Sequence, residues 1–190
     1  MLTEAQTRGL LDVMVRTTPT KRDNLAHLYL GRAGDDLPQY LAEYFEREDR
    51  AEVREALLRF AGPASPTDHR ARELAARALT DKSKKVRRQA LWLLARSGHP
   101  SAIPVLANWH PRTDGETEHR DRAIRVIERQ DTREWVRGTA YSGVIAWSFS
   151  TEEAGSDKFQ ASVDRYIKRF AADLVPDLER ALGDLYLEAT

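Results

Sequence analysis

Residues 81–106 read DKSKKVRRQALWLLARSGHPSAIPVL, and their reading decides the fold. An acid, Asp81, precedes a basic run. Val86, Ala90, Leu93 and Leu94 then fall at spacings of four, three and one. That pattern lays an apolar stripe along one face of a helix. Ser83 is placed to cap the first turn, because a hydroxyl can accept from its free N–H groups. Gly98 is placed to stop the helix, because glycine tolerates the left-handed conformation that follows a last turn. The chain then restarts. Ser101 is a second cap, and Pro104 sits where its missing N–H costs least. Ile103, Leu106 and Ala107 give the next stripe. The segment predicts a helix, a tight turn and a second helix lying back against the first.

Working outward, the same layout recurs. Residues 21–45 align with the opening stretch at an offset of 64: Lys21 with Lys85, Ala26 with Ala90, and Arg32-Ala33-Gly34 with Arg96-Ser97-Gly98. Pro38 and Leu41 echo Pro104 and Val105–Leu106. Between them, DRAEVREALLRFAGP repeats a Val-Arg pair, an apolar helix and a glycine stop. Gly62 falls 28 residues after Gly34 and 36 before Gly98, a mean spacing of 32. A helix pair recurring at 20–50 residues is the signature of a solenoid. Further on, Ala123, Ile124 and Ile127 mark another helix, and Asp131 with Glu134 forms a capping box. Residues 139–149 fit a helix through Ala140, Val144 and Trp147, or a strand through Tyr141, Ile145, Trp147 and Phe149. The cap before them and the lack of a partner strand favour helix. Residues 150–157 read as a loop. Phe159, Val163, Ile167, Phe170 and Leu174 then carry a helical stripe, which Pro176 kinks or restarts.

The totals bound the function. The chain has 190 residues, 41% hydrophobic and 32% charged, with 30 basic and 30 acidic side chains. That is enough apolar material for a core. Zero net charge gives no argument for nucleic acid or membrane, but the distribution is uneven. Residues 1–80 carry 12 basic and 13 acidic side chains, residues 81–137 carry 13 and 8, and residues 138–190 carry 5 and 9. A basic middle adjoins an acidic end. The absence of cysteine excludes disulfides, thiol nucleophiles and cysteine zinc sites, and fits a reducing compartment. No secretory leader and no membrane-length apolar run is legible, so a cytoplasmic location with no membrane partner is expected.

Residues 81–106 resemble a HEAT-type repeat, particularly the short bacterial HEAT-like kind. The resemblance rests on Asp81, Val86-Arg87, Ala90, Leu93–Leu94, Gly98 and Ala102-Ile103-Pro104-Val105-Leu106. Flanking copies are degenerate: Val53-Arg54 keeps the pair, while residues 20–41 keep only the turn and the Pro-x-x-Leu. The resemblance covers residues 20–130. It implies an all-α fold, a right-handed α–α solenoid of helix pairs over residues 1–130. Residues 131–190 would then be a helical C-terminal extension or cap packed on the last repeat. It also implies an inter-repeat role for the arginine after valine, which in such repeats bonds the aspartate of an adjacent turn. Arg54, Arg87 and Asp81 are therefore inter-repeat structural candidates, with Arg87 reaching Asp81 or Asp49.

HEAT-like folds host several activities, so only the residues can decide among them. The di-iron hydroxylases of this architecture use repeated His-Glu pairs. None of His27, His69, His99, His110 and His119 is followed by Glu, and none pairs with another at ligand spacing. No metal and no cofactor is expected. HEAT-like alkylpurine DNA glycosylases use a Trp-Asp arrangement and a basic face. Here His110 follows Trp109, and Asp114 lies five positions on. A bilin-lyase-like role finds no chromophore-specific feature. No phosphate loop, nucleophile elbow or paired carboxylate stands out. The expectation is a non-catalytic macromolecule-binding module with a protein partner (an adaptor, scaffold or immunity-type binder). The alternatives are a DNA-binding protein resembling the glycosylases and, behind it, a bilin-lyase-like protein. Lys82, Lys84, Lys85, Arg88, Arg112 and Arg125 form the candidate basic patch. Positive charge at a helix start opposes the helix dipole, which hints at an acidic partner or an inter-repeat bridge. Tyr40, Tyr44 and Trp109 are candidate aromatic contacts.

Overall fold

The computed structural model describes residues 1–130, 167, 169 and 171–183. Among these the chain is all-helical, with no strand. It divides into two compact units, Met1–Leu37 with Ile145–Thr190, and Pro38–Val144.

In the first unit, helix α1 (Glu4–Arg16) starts with a reciprocal cap. Thr3 Oγ1 accepts from the Gln6 N–H at 3.2 Å, and Gln6 Oε1 accepts from the Thr3 N–H at 2.9 Å. Helix α2 (Pro19–Tyr29) follows, with proline in its first turn. Leu10, Leu11, Met14, Leu25 and Tyr29 are buried. The described C-terminal helix, which we label α9 (Val175–Leu182), packs on α1. The two helices come close because Gly9 has no side chain. A Cβ there would lie 3.1 Å from both the Cα and the Cβ of Ala181. Gln6 Nε2 donates to the Leu182 carbonyl at 2.8 Å and so satisfies the end of α9. Within this unit the described part of residues 131–190 thus packs on the N-terminal helix. The expected capping box at Asp131 and the choice of helix or strand at 139–149 lie outside the described residues.

The second unit contains α3 (Leu37–Arg47), α4 (Ala51–Ala61), α5 (His69–Ala78), α6 (Lys84–Ser97), α7 (Ala102–Asn108) and α8 (Asp114–Glu128). Helix α6 is its centre. Val86, Ala90, Leu91, Leu93 and Leu94 are all within 2% of full burial, against α4, α5 and α8. Helix α7 follows the predicted turn, but it lies chiefly on α8. Its seven residues offer only Ala102 and Leu106 as buried anchors, too short a face to cover α6.

The glycine stops are not equivalent. Gly98 takes the left-handed conformation with φ 61° and ends α6. Gly62 has φ −54° and continues into a 3-10 turn, Gly62–Ala64. Gly34 does not reach positive φ. Ser83 and Ser101 stand at the N-cap positions of α6 and α7, yet neither hydroxyl makes the cap bond. Ser101 Oγ instead lies 2.8 Å from His99 Nδ1.

Candidate interaction surface

The buried charges explain how the helices are tied. Arg54, in the first turn of α4, donates from Nε and Nη2 to the two carboxylate oxygens of Asp81, at 2.8 and 3.0 Å. Its Nη1 donates to the carbonyls of Glu48 and Asp49, at 2.9 and 2.7 Å. Arg87, in the first turn of α6, repeats the arrangement. Nε and Nη2 donate to Glu116 Oε1 at 3.0 and 2.7 Å, and Nη1 donates to the carbonyls of Asp81 and Lys82 at 2.8 and 3.1 Å. Each carboxylate also holds a backbone N–H. Asp81 Oδ1 accepts from Ser83 N at 2.7 Å, and Glu116 Oε2 accepts from Arg112 N at 2.9 Å. The side chains of both pairs are 5–9% exposed.

Burial pushes both carboxyls up. For Asp81 the Arg54 guanidinium and the Ser83 N–H outweigh it, and for Glu116 the Arg112 N–H and the Arg87 guanidinium do so. Both stay below the ordinary carboxyl range, hence ionised at neutral pH. Each arginine fork thus makes four hydrogen bonds to oxygen, two to a carboxylate and two to carbonyls, which is the kind of pairing that burying a charge requires.

A third arginine follows the same rule. Arg22 is buried, and it donates to the Met14 carbonyl at 3.0 Å and the Thr17 carbonyl at 2.9 Å. Arg22, Arg54 and Arg87 each stand four residues after the N-cap residue of their helix, Thr18, Arg50 and Ser83. Each bonds the carbonyl five positions back, that of Thr17, Asp49 or Lys82. They are 32 and 33 residues apart. Sequence reasoning missed Arg22 and Glu116. The cap-plus-four register would have found Arg22; the T-x-x-E pattern of Thr113 and Glu116 marks the start of α8, but not the arginine that Glu116 meets. The expected partners of Arg87 also need correcting. Asp81 gives Arg87 its carbonyl, while the carboxylate that Arg87 grips lies forward, on α8.

The basic patch separates into different settings. Lys82, Lys84, Lys85, Arg88, Arg112 and Arg125 are all exposed. Lys84 stands close enough to Glu116 to help keep it ionised. Arg112 reaches back to the Thr80 carbonyl at 3.0 Å, so it braces one loop against another. Arg125 shares the solvent side of α8 with Asp114, Glu118, Asp121 and Glu128 by helical spacing. Lys85 and Arg88 belong together. With Gln89, Trp92 and Arg96 they form the outer face of α6, at spacings of three, one, three and four. Arg96 and Trp92 were not singled out in the sequence; the Arg96 guanidinium lies 5.0 Å from the centroid of the Trp92 ring.

Two of the aromatic candidates face inward. Tyr40 and Trp109 are buried, 9% and 8% exposed, and Tyr44 is half-buried. Trp109 ends α7, and its carbonyl accepts from Arg120 Nη1 at 3.3 Å. An apolar ring at the end of a short helix is more stable filling the core than standing in water. The buried carboxylate of this unit, Glu116, has both oxygens occupied and cannot serve as a free base. Among the described residues no group of three or more His, Asp or Glu side chains could hold a metal ion. Also among them, no helix is long and apolar enough to cross a membrane. The first unit has an open groove of about 280 Å³ between α2 and α9, lined by Val13, Arg16, Thr17, Lys21, Asp173 and Asp177 among others. Lys21 and Asp173 pair with each other across it at 2.5 and 2.8 Å. No family model, curated protein or solved structure matches this chain.

Proposed function

We propose that this chain is a non-catalytic binding module, a HEAT-like solenoid of helix pairs that engages another protein in the cytoplasm. The observation that supports this reading is the series Arg22, Arg54 and Arg87. Three buried arginines recur in one register, 32 and 33 residues apart, and tie the start of each helix to the loop before it. A repeated unit whose buried face needs neighbours is the logic of a solenoid. The buried ions among the described residues, Arg22, Arg54, Arg87 and Glu116, all make such ties. Among the described residues each buried charged side chain is held in such a tie, which supports a reading in which the surface carries the function. That surface is polar: Met1 is its one exposed large hydrophobic residue among those described.

The test is cross-linking of the full chain in cells, with the linked peptides identified by mass spectrometry, beside an assay for base release from alkylated duplex DNA. Cross-links to one protein and no released base are expected. Base release would replace this reading with the glycosylase-like one. That second reading draws on the basic run alone, and the occupied carboxylate of Glu116 weighs against it.

A further inference from the structure

Helices α4, α6 and α8 lie side by side, and their outer faces differ in charge. Helix α6 carries Lys84, Lys85, Arg87, Arg88 and Arg96 and not one acid. Arg87 is consumed by Glu116. Lys85, Arg88 and Arg96 stand exposed on the outer face, with Trp92 half-buried among them. No ion pair with a described residue engages Lys85 or Arg88. Helix α4 on one side has Glu52 and Glu55 with Arg59, and the solvent side of α8 on the other has Asp114, Glu118, Asp121 and Glu128 with the base Arg125. The result is a narrow cationic strip with acids beside it.

We infer that the outer face of α6 binds an acidic amphipathic helix of a partner protein. This rests on the reading of the chain as a protein-binding module, and it names the surface and the partner's chemistry. Width is the first reason. A helix is about 10–12 Å across and packs about 8–10 Å from another, so it can lie on α6 without covering its neighbours. A nucleic acid strand that ran beyond the strip would set phosphates against the carboxylates of α4 and α8, where like charges repel. Length is the second. From Lys85 to Arg96 the strip runs about 16 Å, matching three turns of a helix with acids at i, i+4, i+7 and i+11. Trp92 supplies the apolar contact. Its ring edge lies against the turn after α4, 3.8 Å from where a Cβ on Gly62 would stand. Arg96 covers the ring. Tryptophan and arginine together are the residue types that dominate interface energies.

The experiment uses the full chain and a fluorescent 20-residue helical peptide with glutamates along one stripe and a leucine among them, read by anisotropy. A peptide of identical composition with its glutamates scattered around the helix is the control, and a single-stranded oligonucleotide is the competitor. The striped peptide should bind at least tenfold more tightly than the scattered one. Lys85→Glu/Arg88→Glu, which touches no buried residue, should weaken it at least tenfold. Trp92→Ala should weaken it as well while leaving the charge unchanged, and Trp92→Phe should restore most of the loss. Equal binding of the two peptides, no loss in the variants, or displacement of the peptide by the oligonucleotide would each overturn the inference. If the variant also cross-links the cellular partner as well as the wild type does, the surface is wrong and the binding-module reading stands. If neither chain cross-links a partner, both fall.

Discussion

The two units are held by different physics. In the first, α1 and α9 meet through a missing side chain, Gly9 against Ala181, with one neutral hydrogen bond from Gln6 to the Leu182 carbonyl. In the second, α4, α6 and α8 are joined by arginine–carboxylate clasps among apolar side chains. Close contact is tolerant of pH and intolerant of volume. A clasp is the reverse: its charges must stay charged, while its surroundings can be repacked. The difference teaches that one chain can use a steric joint and an electrostatic one, and that each fails under its own stress.

The largest effect should come from breaking a clasp on one side. Arg87→Ala leaves the buried carboxylate of Glu116 without its guanidinium, at a cost of about 3–5 kcal/mol in urea unfolding. Replacing both partners, Arg87→Met with Glu116→Leu, should recover most of that loss, since apolar substitutes for a buried pair are often neutral. A double replacement as damaging as the single one would show that the carbonyls of Asp81 and Lys82 were the groups that mattered. The steric joint should break next. Gly9→Leu forces a side chain into a space that a single Cβ already crowds, and should cost about 1–3 kcal/mol. Ala181→Gly on that background should return part of it.

Acid should separate the two joints. The carboxyls of Asp81 and Glu116 are held below their ordinary values in the folded chain. Their contribution is therefore complete above the unfolded pKa values, near 4, and is lost as pH falls through the folded ones. Amide exchange at pH 3–5 should show α6 and α8 losing protection at a higher pH than α1. The Arg87→Met/Glu116→Leu variant should flatten that difference. Equal loss in both units would remove the electrostatic distinction. The smallest effect compares two glycines. Gly98→Ala forces alanine to φ 61° and should cost about 1 kcal/mol. Gly62→Ala, at helical φ and ordinary contact distance from Trp92, should be neutral or slightly stabilising in thermal melts.

Much of the fold was legible from residues 81–106. The apolar stripe of α6, its stop at Gly98 and the restart near Pro104 are local features, set by side-chain period and backbone sterics. The buried pairing of Arg54 and Asp81 was approached through the resemblance, since both residues sit in local motifs. Arg87 with Glu116 was not, because the T-x-x-E start of α8 marks Glu116 locally but not the arginine 29 positions back that it meets. The equivalence of Gly34, Gly62 and Gly98 failed for a similar reason: glycine permits positive φ, and only the chain beyond it decides whether that freedom is used. Tyr40 and Trp109 fit an interface by residue type, yet burial depends on neighbours far along the chain. The strip on α6 was half visible as a basic run. Trp92 and Arg96 joined it only when helical phase showed which side chains stand together.

The sequence by itself determined the helical stripes, the stop at Gly98 and the spacing of Arg22, Arg54 and Arg87 at 32 and 33 residues. These follow from periodicity and backbone chemistry within a few residues. Only the tertiary structure decided which carboxylate each arginine holds, where the C-terminal helix docks and which cations remain exposed. Those outcomes depend on contacts between residues 27 to 176 positions apart, and no local rule of propensity or spacing reaches that far.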